Sequence, residues 1–390
     1  MSFSRDVSLS AVVAGFVTVL VGFTSSGAIV FEAARSAGAT PGQIGSWMWA
    51  LGLGMGLTCL LLSLRYRMPV VTAWSTPGAA MLVVSAAGVP LAETTGAFIV
   101  CAVLIAVAGF SGAFERAIGR IPLSIAAGLL AGVLVRFGFE TFIAMKTQFT
   151  LAVTMFAVYL AGRRLKPRYA VPGALLAGIV VASAKGLLHV TDITLAPAMP
   201  EFVTPTFSLS ALVGIALPLF VVTMASQNVP GSAVIRASGF GVPLSPVIGW
   251  IGVTNIVLAP FGAFALNLAA ITAAICMGRE AHEDPSRRYV ASVAAGIFYI
   301  LIGIFGATVG ALFAAFPKEL VLGIAGLALI GTIGNGLAVA VANEREREPA
   351  LITFLVTASG MSLAGIGSAF WGVVAGAIAL KVLAPREKAA

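Results

Sequence analysis

The stretch V-V-T-A-W-S-T-P-G-A-A-M, from Val70 to Met81, decides how this chain folds. Val70, Val71 and Thr72 are β-branched and favour extended backbone. Ser75 or Thr76 can cap a helix, and Pro77 is preorganised for a first helical turn. A residue before proline avoids the α region, so the pattern predicts a helix that starts at Pro77. The surroundings are apolar. A helix that starts partway across a membrane leaves unpaired N–H groups and a partial positive charge at that depth. Protein or a polar cavity must cover such a break. The helix end is then a natural anion site.

Composition places the chain in a bilayer. Of its 390 residues, 59% are hydrophobic and 10% charged, with a mean hydropathy of +1.04. A water-soluble domain of this size needs more charge for its surface. The formal charge of +8 invites a nucleic-acid reading, but the basic residues sit in short clusters between apolar stretches. That is the pattern of positive cytoplasmic loops. Cys59, Cys101 and Cys276 occur singly in apolar segments and form neither a metal spacing nor a disulfide framework. The first apolar stretch is too long for a cleavable signal and lacks a small-residue cleavage site.

Fourteen candidate spans run approximately over 9–33, 42–64, 70–86, 93–115, 121–142, 148–162, 170–188, 209–234, 244–260, 263–278, 288–314, 318–341, 349–363 and 366–384. The third and tenth are short, as broken helices are. With the N-terminus inside, 18 of the 23 Lys and Arg residues fall in inside segments and four outside. That bias supports an even span count and cytoplasmic termini. The longest outside loop, about 189–208, reads as an irregular connection.

Two pairs of segments recur in order. A-A-R-S-A-G-A-T-P-G-Q-I-G-S-W-M-W around Arg35 resembles V-I-R-A-S-G-F-G-V-P-L-S-P-V-I-G-W around Arg236. I-P-L-S-I-A-A-G-L-L-A-G from Ile121 resembles F-P-K-E-L-V-L-G-I-A-G-L from Phe316. The chain reads as two halves of seven spans. An odd number inverts the second half, giving the inverted repeat of secondary transporters. The partner of Val70–Met81 is then Pro260–Gly278. There Ala263–Leu266 reads as extended, and Asn267 is a good N-cap for Leu268 onward. Two half-helix ends facing each other near the midplane make an anion site without a basic side chain.

Polar residues at membrane depth are the other candidates. Ser25 and Ser26 lie in span 1, Gln227 and Asn228 in span 8, and Thr272 in the second half-helix. Each either lines a substrate cavity or makes helix–helix hydrogen bonds. Glu32 and Arg35 end span 1 and read as a solvated helix end. Arg136 and Glu140, at i,i+4, are expected to pair on one face. His189 and His282 fall in loops, which argues against a histidine relay. Glu280, Glu283 and Asp284, with His282, read as a solvated loop, as does the Glu344–Glu348 run. The glycines Gly52, Gly54 and Gly56 read as close helix packing. No Walker lysine follows any glycine pattern, and no HExxH, Ser/Lys or paired-aspartate arrangement shares a depth, which disfavours an enzyme. No cofactor or metal is implied.

A-W-S-T-P-G-A at 73–79, A-S-Q-N-V-P-G at 225–231 and A-L-N-L-A-A-I-T-A-A-I at 265–275 resemble hallmark segments of the benzoate–proton symporter (BenE-type) family. The resemblance runs from about residue 8 to 384. It implies a fold like that of nucleobase–cation and sulfate-type transporters, an all-α membrane protein of 14 segments in a 7+7 inverted repeat. Segments 3 and 10 are each broken into an extended run and a half-helix. Residues 1–117 and 208–315 would form a core domain, and 118–207 and 316–390 a gate domain through which homodimers join. In nucleobase-transporter relatives an acidic residue in span 8 contacts substrate, whereas this chain has Gln227 and Asn228. An amide donates to a carboxylate where an ionised acid repels it.

The expected function is proton-coupled import of benzoate or a similar aromatic carboxylate across an inner membrane by alternating access. Trp74, Ser75, Thr76, Pro77, Gly78, Asn267, Leu268, Ala269 and Thr272 would hold the anion. Ser25, Ser26, Gln227 and Asn228 would complete its hydrogen bonds, with Phe264 and Trp74 at the ring. The coupling group stays open among benzoate itself, Glu32 and Glu140. The rivals are transport of another anion or a nucleobase, and a passive anion channel.

Overall fold

The computed structural model describes residues 6–119, 121–188, 197–306, 316–363 and 366–383, and these are almost wholly helical. The first half comprises α1 (Leu9–Ser36), α2 (Pro41–Tyr66), β1 (Thr72–Trp74), α3 (Thr76–Ser85), α4 (Leu91–Phe110), the short α5 (Ala113–Gly119), α6 (Leu123–Thr147), α7 (Phe149–Leu165) and α8 (Ala170–Ala184). Local chemistry sets several of these boundaries. Ser8 Oγ accepts the Ala11 N–H at the head of α1, and Thr40 and Gln43 form a capping box ahead of Pro41 in α2.

The second half opens with α9 (Leu209–Ala237), which holds π-helical turns at Leu212–Ala216 and Met224–Asn228. Pro218 and Pro230 lie just beyond these turns. A proline ring clashes with the carbonyl four residues earlier and has no N–H to give, and a widened turn absorbs both defects. Then come α10 (Leu244–Leu258), β2 (Leu266–Leu268), α11 (Ile271–Met277), α12 (Tyr289–Ile304), α13 (Lys318–Ala340) and α14 (Glu344–Ser359). A small hairpin of β3 (Ser362–Leu363) and β4 (Ile366–Gly367) leads into α15 (Ser368–Leu383).

Among the described residues, six helical segments are long and apolar enough to cross a membrane, and a seventh if 318–331 and 333–340, bent by 40°, count as one. α2 packs on α12, α4 on α10, and α6 on α13 and α14. Glycine lets the first pair touch, since a Cβ on Gly52 would lie 2.6 Å from Gly303 Cα and one on Gly56 2.7 Å from the Gly296 oxygen. The packing role expected of these glycines is therefore met.

Hydrogen bonds between connecting segments fall into two sets. One joins Asp6 to Tyr289, Glu115 to Ser245, Ser124 to Glu346 and Arg163 to Glu280. The other joins Ser46 to Glu201 and Phe261, Glu93 to Ser208, and Thr147 to Glu319. Each set links segments that the expected alternation of spans puts on one face.

Three expectations need correction. The Glu344–Glu348 run is the start of α14, capped by Asn343, because acidic side chains favour a helix N-terminus. Arg136 forms no ion pair with Glu140 among the described residues. Its guanidinium instead lies where a Cβ on Gly360 would be, just past the end of α14, a position favourable to a cation. Glu280 is not solvated, as described below. His189, the 307–315 end of the eleventh expected span and the C-terminal tail from 384 lie outside the described residues, whereas 197–208 is irregular as expected.

Candidate functional site

The two broken spans meet. β1 and β2 pair antiparallel, Thr72 opposite Leu268, Ala73 opposite Asn267 and Trp74 opposite Leu266. Ala269 N–H extends the ladder to the Val71 carbonyl at 2.9 Å. Extended backbone at this depth is satisfied because each half supplies the other's partners.

The first half-helix starts as its sequence predicts, one residue early. Ser75 is the N-cap, its Oγ accepting from the Gly78 N–H at 3.1 Å, and Pro77 lies in the first turn. Thr223 Oγ1 of α9 donates to the same Ser75 Oγ at 3.1 Å. Trp74, Ser75 and Gly78 are buried, but Thr76 is exposed and Pro77 half-buried, so the helix end opens to a space. Trp74 Nε1 donates to Ser26 Oγ at 2.8 Å, Ser26 donates on to the Gly22 carbonyl, and the indole meets Phe23 edge-on at 5.7 Å. The side chain of Ser25 lies outside the described residues.

The second half-helix departs from expectation. Asn267 does not cap a helix at Leu268. It sits inside β2, and α11 begins only at Ile271, with Ala270 as N-cap and no side-chain cap at all. The cause is tertiary. Asn255 of α10 binds both backbone groups of Leu266, giving Nδ2 to the carbonyl at 3.1 Å and Oδ1 to the N–H at 3.0 Å. Asn228 Oδ1 accepts from the Leu268 N–H at 2.9 Å. These two amides hold β2 extended through Leu268. Ala265, at φ +42°, turns the chain into the strand, a conformation that only packing maintains.

Of the remaining expected residues, Asn228 is fully buried and acts as a strut, its Nδ2 lying 3.1 Å from Met224 Sδ. Gln227 is half-buried in the π turn and makes no hydrogen bond among the described residues. Asn267 gives Nδ2 to the Ala265 carbonyl, but its buried Oδ1 has no partner among the described residues. Leu268 and Ala269 are buried backbone partners, and the Thr272 carbonyl accepts from Thr18. The ring of Phe264 is wholly buried against Trp47 and Phe98, at 5.7 and 5.9 Å, in an aromatic packing cluster. Glu32, 53% exposed, lies 3.8 Å from Arg35 at the end of α1. Glu140 is half-buried on α6, and neither acid belongs to the strand crossing. β4 and α15 pack against Met224–Asn228. The segments 70–78, 223–231 and 263–272 contain no charged residue, so backbone amides, hydroxyls and side-chain amides are what they offer a ligand.

Sequence reasoning missed Asn255, Thr223 and Glu280. The first two are polar residues inside apolar spans, which was a usable signal. Glu280 was masked by its charged neighbours. Its side chain is 4% exposed and pairs with Arg163 at 3.2 Å. Burial raises its pKa, against the lowering effects of a backbone hydrogen bond and the arginine charges. A separate groove of about 500 Å³ lies between α2 and α10, lined by Leu57, Leu61, Arg65, Tyr66, Trp250 and Thr254. Thr58 also lines it and hydrogen-bonds Thr72 of β1 at 2.6 Å, on the α2 side of the strand crossing.

Fold and site together define a polytopic membrane protein whose two broken spans converge on an uncharged polar crossing. The chain matches the family described as Benzoate membrane transport protein (BenE) over residues 5–382. It is 50% identical over 370 residues to Inner membrane protein YdcO of Escherichia coli K12, with 95% of each chain covered. It is 39% identical over 382 residues to Benzoate membrane transport protein of Acinetobacter baylyi, covering 98% of this chain and 97% of that one. The chain belongs to the benzoate membrane transport protein family, and it is a membrane transporter rather than an enzyme. Among solved structures it is similar to SLC26A9, at TM-score 0.49 and 12% identity, covering 96% of this chain and 65% of that one. It is also similar to the transmembrane domain of the cyanobacterial bicarbonate transporter BicA, at TM-score 0.46 and 11% identity, covering 94% and 96%.

Proposed function

We propose that this protein is a secondary transporter that imports benzoate or a similar aromatic carboxylate with a proton across an inner membrane. The observation that carries the reading is the crossing of β1 and β2. It brings two half-helix starts together in segments without charge, with no side-chain cap on α11 and no hydrogen bond to the Gln227 side chain among the described residues. Free amide N–H groups in a low-dielectric setting favour a carboxylate. The segments 75–78 and 267–272 bind the anion head, Gln227 donates to it, and the hydrogen-bonded Trp74–Ser26 pair lies behind it. Asn228 contributes by holding β2, and Phe264 by packing behind it.

The transport cycle in this reading is a rigid movement of a core, residues 1–117 and 208–315, past a gate, residues 118–207 and 316–390. The preferred packing of α2 on α12 and α4 on α10, and of α6 on α13 and α14, supports that division. The charge bias supports 14 spans in a 7+7 inverted repeat with both termini cytoplasmic. A homodimer formed through gate domains is what the resemblance to nucleobase–cation and sulfate-type transporters implies.

Uptake of radiolabelled benzoate into proteoliposomes, with and without an inward proton gradient, tests the reading. Accumulation that needs the gradient and is abolished by unlabelled benzoate is expected. Saturable equilibration that ignores the gradient would make the protein a facilitator or channel, and no uptake by folded protein would withdraw benzoate.

A further inference from the structure

Glu280 is a buried acid that the strand crossing does not use. It follows α11 by three residues, at the end of the half-helix away from β2. Seven helical residues rise about 10 Å, so one short rod joins the candidate site to this carboxyl. Its charged and titratable neighbours come from α7 and from the loop before α12. α7 contributes Arg163, whose Nη1 lies 3.2 Å from Oε1, and Tyr159. α13 presents Gly331, where an added Cβ would lie 2.8 Å from Oε1; its only charged residues, Lys318 and Glu319, are at its far end. The loop before α12 contributes Arg279 and Arg288, and the Arg288 guanidinium is occupied by the carbonyls of Met277, His282 and Glu283.

The second oxygen, Oε2, is buried and has no partner among the described residues. An ionised carboxylate left this way carries an unmet acceptor. A proton on Oε2 removes the charge, while Oε1 still accepts from Arg163. Released into water, the same carboxyl has an ordinary proton affinity, so proton binding and burial favour each other. Arg163, itself 41% exposed, gives the ionised group a route toward solvent.

We infer that Glu280 is a proton-dependent positioning residue of the transport cycle. Neutral, it docks the end of α11 against α7 and α13, and on losing its proton to the adjoining water it leaves that pocket and frees the half-helix. This rests on the transport reading for what α11 carries, and it replaces Glu32 and Glu140 as the coupling group. The sign follows from linkage. With the folded pKa raised above the unfolded value, the docked state binds more protons in the window between them. Its stabilisation is complete below the unfolded pKa and is lost as pH rises through the folded one.

The test is hydrogen–deuterium exchange of the full-length protein in nanodiscs, corrected for intrinsic exchange, on peptides covering 271–288. In the wild type, protection should fall roughly tenfold per pH unit between the unfolded and folded pKa values, the slope of one proton, and level off above the folded one. E280Q, permanently neutral, should stay protected across the range. R163Q, which removes a charge that favours ionisation, should shift the transition to higher pH, and it carries the test if E280Q does not fold. Protection that ignores pH in the wild type, an E280Q profile like the wild type, or an R163Q transition that does not move alkaline would overturn the proposal. Benzoate exchange in proteoliposomes, corrected for leak through protein-free vesicles, should quicken with internal pH in the wild type and stay flat in E280Q. If the wild type carries no benzoate while the protection switch persists, the substrate reading falls and the role of Glu280 stands.

Discussion

The two broken spans have the same architecture, and neighbouring side chains pin both strands, but only one half-helix carries a side-chain cap. β1–α3 caps its own helix, with Ser75 as cap and Pro77 in the first turn, while α2 pins its extended run: Ser63 Oγ bonds both backbone groups of Val70 and Cys59 Sγ accepts the Thr72 N–H. β2–α11 has no cap, and its strand depends on Asn255 from α10 and Asn228 from α9. The uncapped helix is therefore the one with amide groups to spare. An N-cap that satisfies a half-helix internally takes donors from a ligand, whereas neighbours that pin the strand leave the helix end unmet.

That contrast can be broken by substitution. The largest effect is expected at Asn255→Ala, which strips both backbone groups of Leu266 of their partner. A loss of about 3 kcal/mol is expected, read as the shift in thermal unfolding in detergent. Asn228→Ala leaves the buried Leu268 N–H unpaired and should lose about 2 kcal/mol, with slower uptake, because the start of α11 drifts. Uptake at the wild-type rate by well-folded Asn228→Ala would sink that account. Ser75→Ala removes the cap of α3, and about 1 kcal/mol is expected. The smallest stability change, within about 0.5 kcal/mol, is expected for Gln227→Ala, which breaks no bond. Its labelled-benzoate uptake should nevertheless fall, which would separate a ligand-facing amide from a strut.

Much of this was legible beforehand. Hydropathy marked the helical segments, and the two segments that the sequence pointed to, Val70–Met81 and Pro260–Gly278, pair as strands. The cap at Ser75 was among the readings of its segment. Asn267 was misread because a good N-cap residue ahead of an apolar run looks alike whether or not a neighbour claims the backbone. Phe264 sat in the right segment, but its ring faces Trp47 and Phe98, 217 and 166 residues earlier in the chain. Glu280 was judged by its charged neighbours, yet its environment comes from Arg163 and Gly331.

By itself the sequence determined what depends on residues within a turn of one another. That covers which stretches prefer the bilayer, where proline and serine start a helix, and where β-branched residues hold the chain extended. Those preferences are set by backbone sterics and solvent transfer, which need no partner. Only the tertiary structure decided which amides became struts, which helix end stayed uncapped and which acid was buried. Hydrogen bonding and desolvation are decided by whatever other segment occupies the adjoining space, and in this chain that segment lies tens to hundreds of residues away.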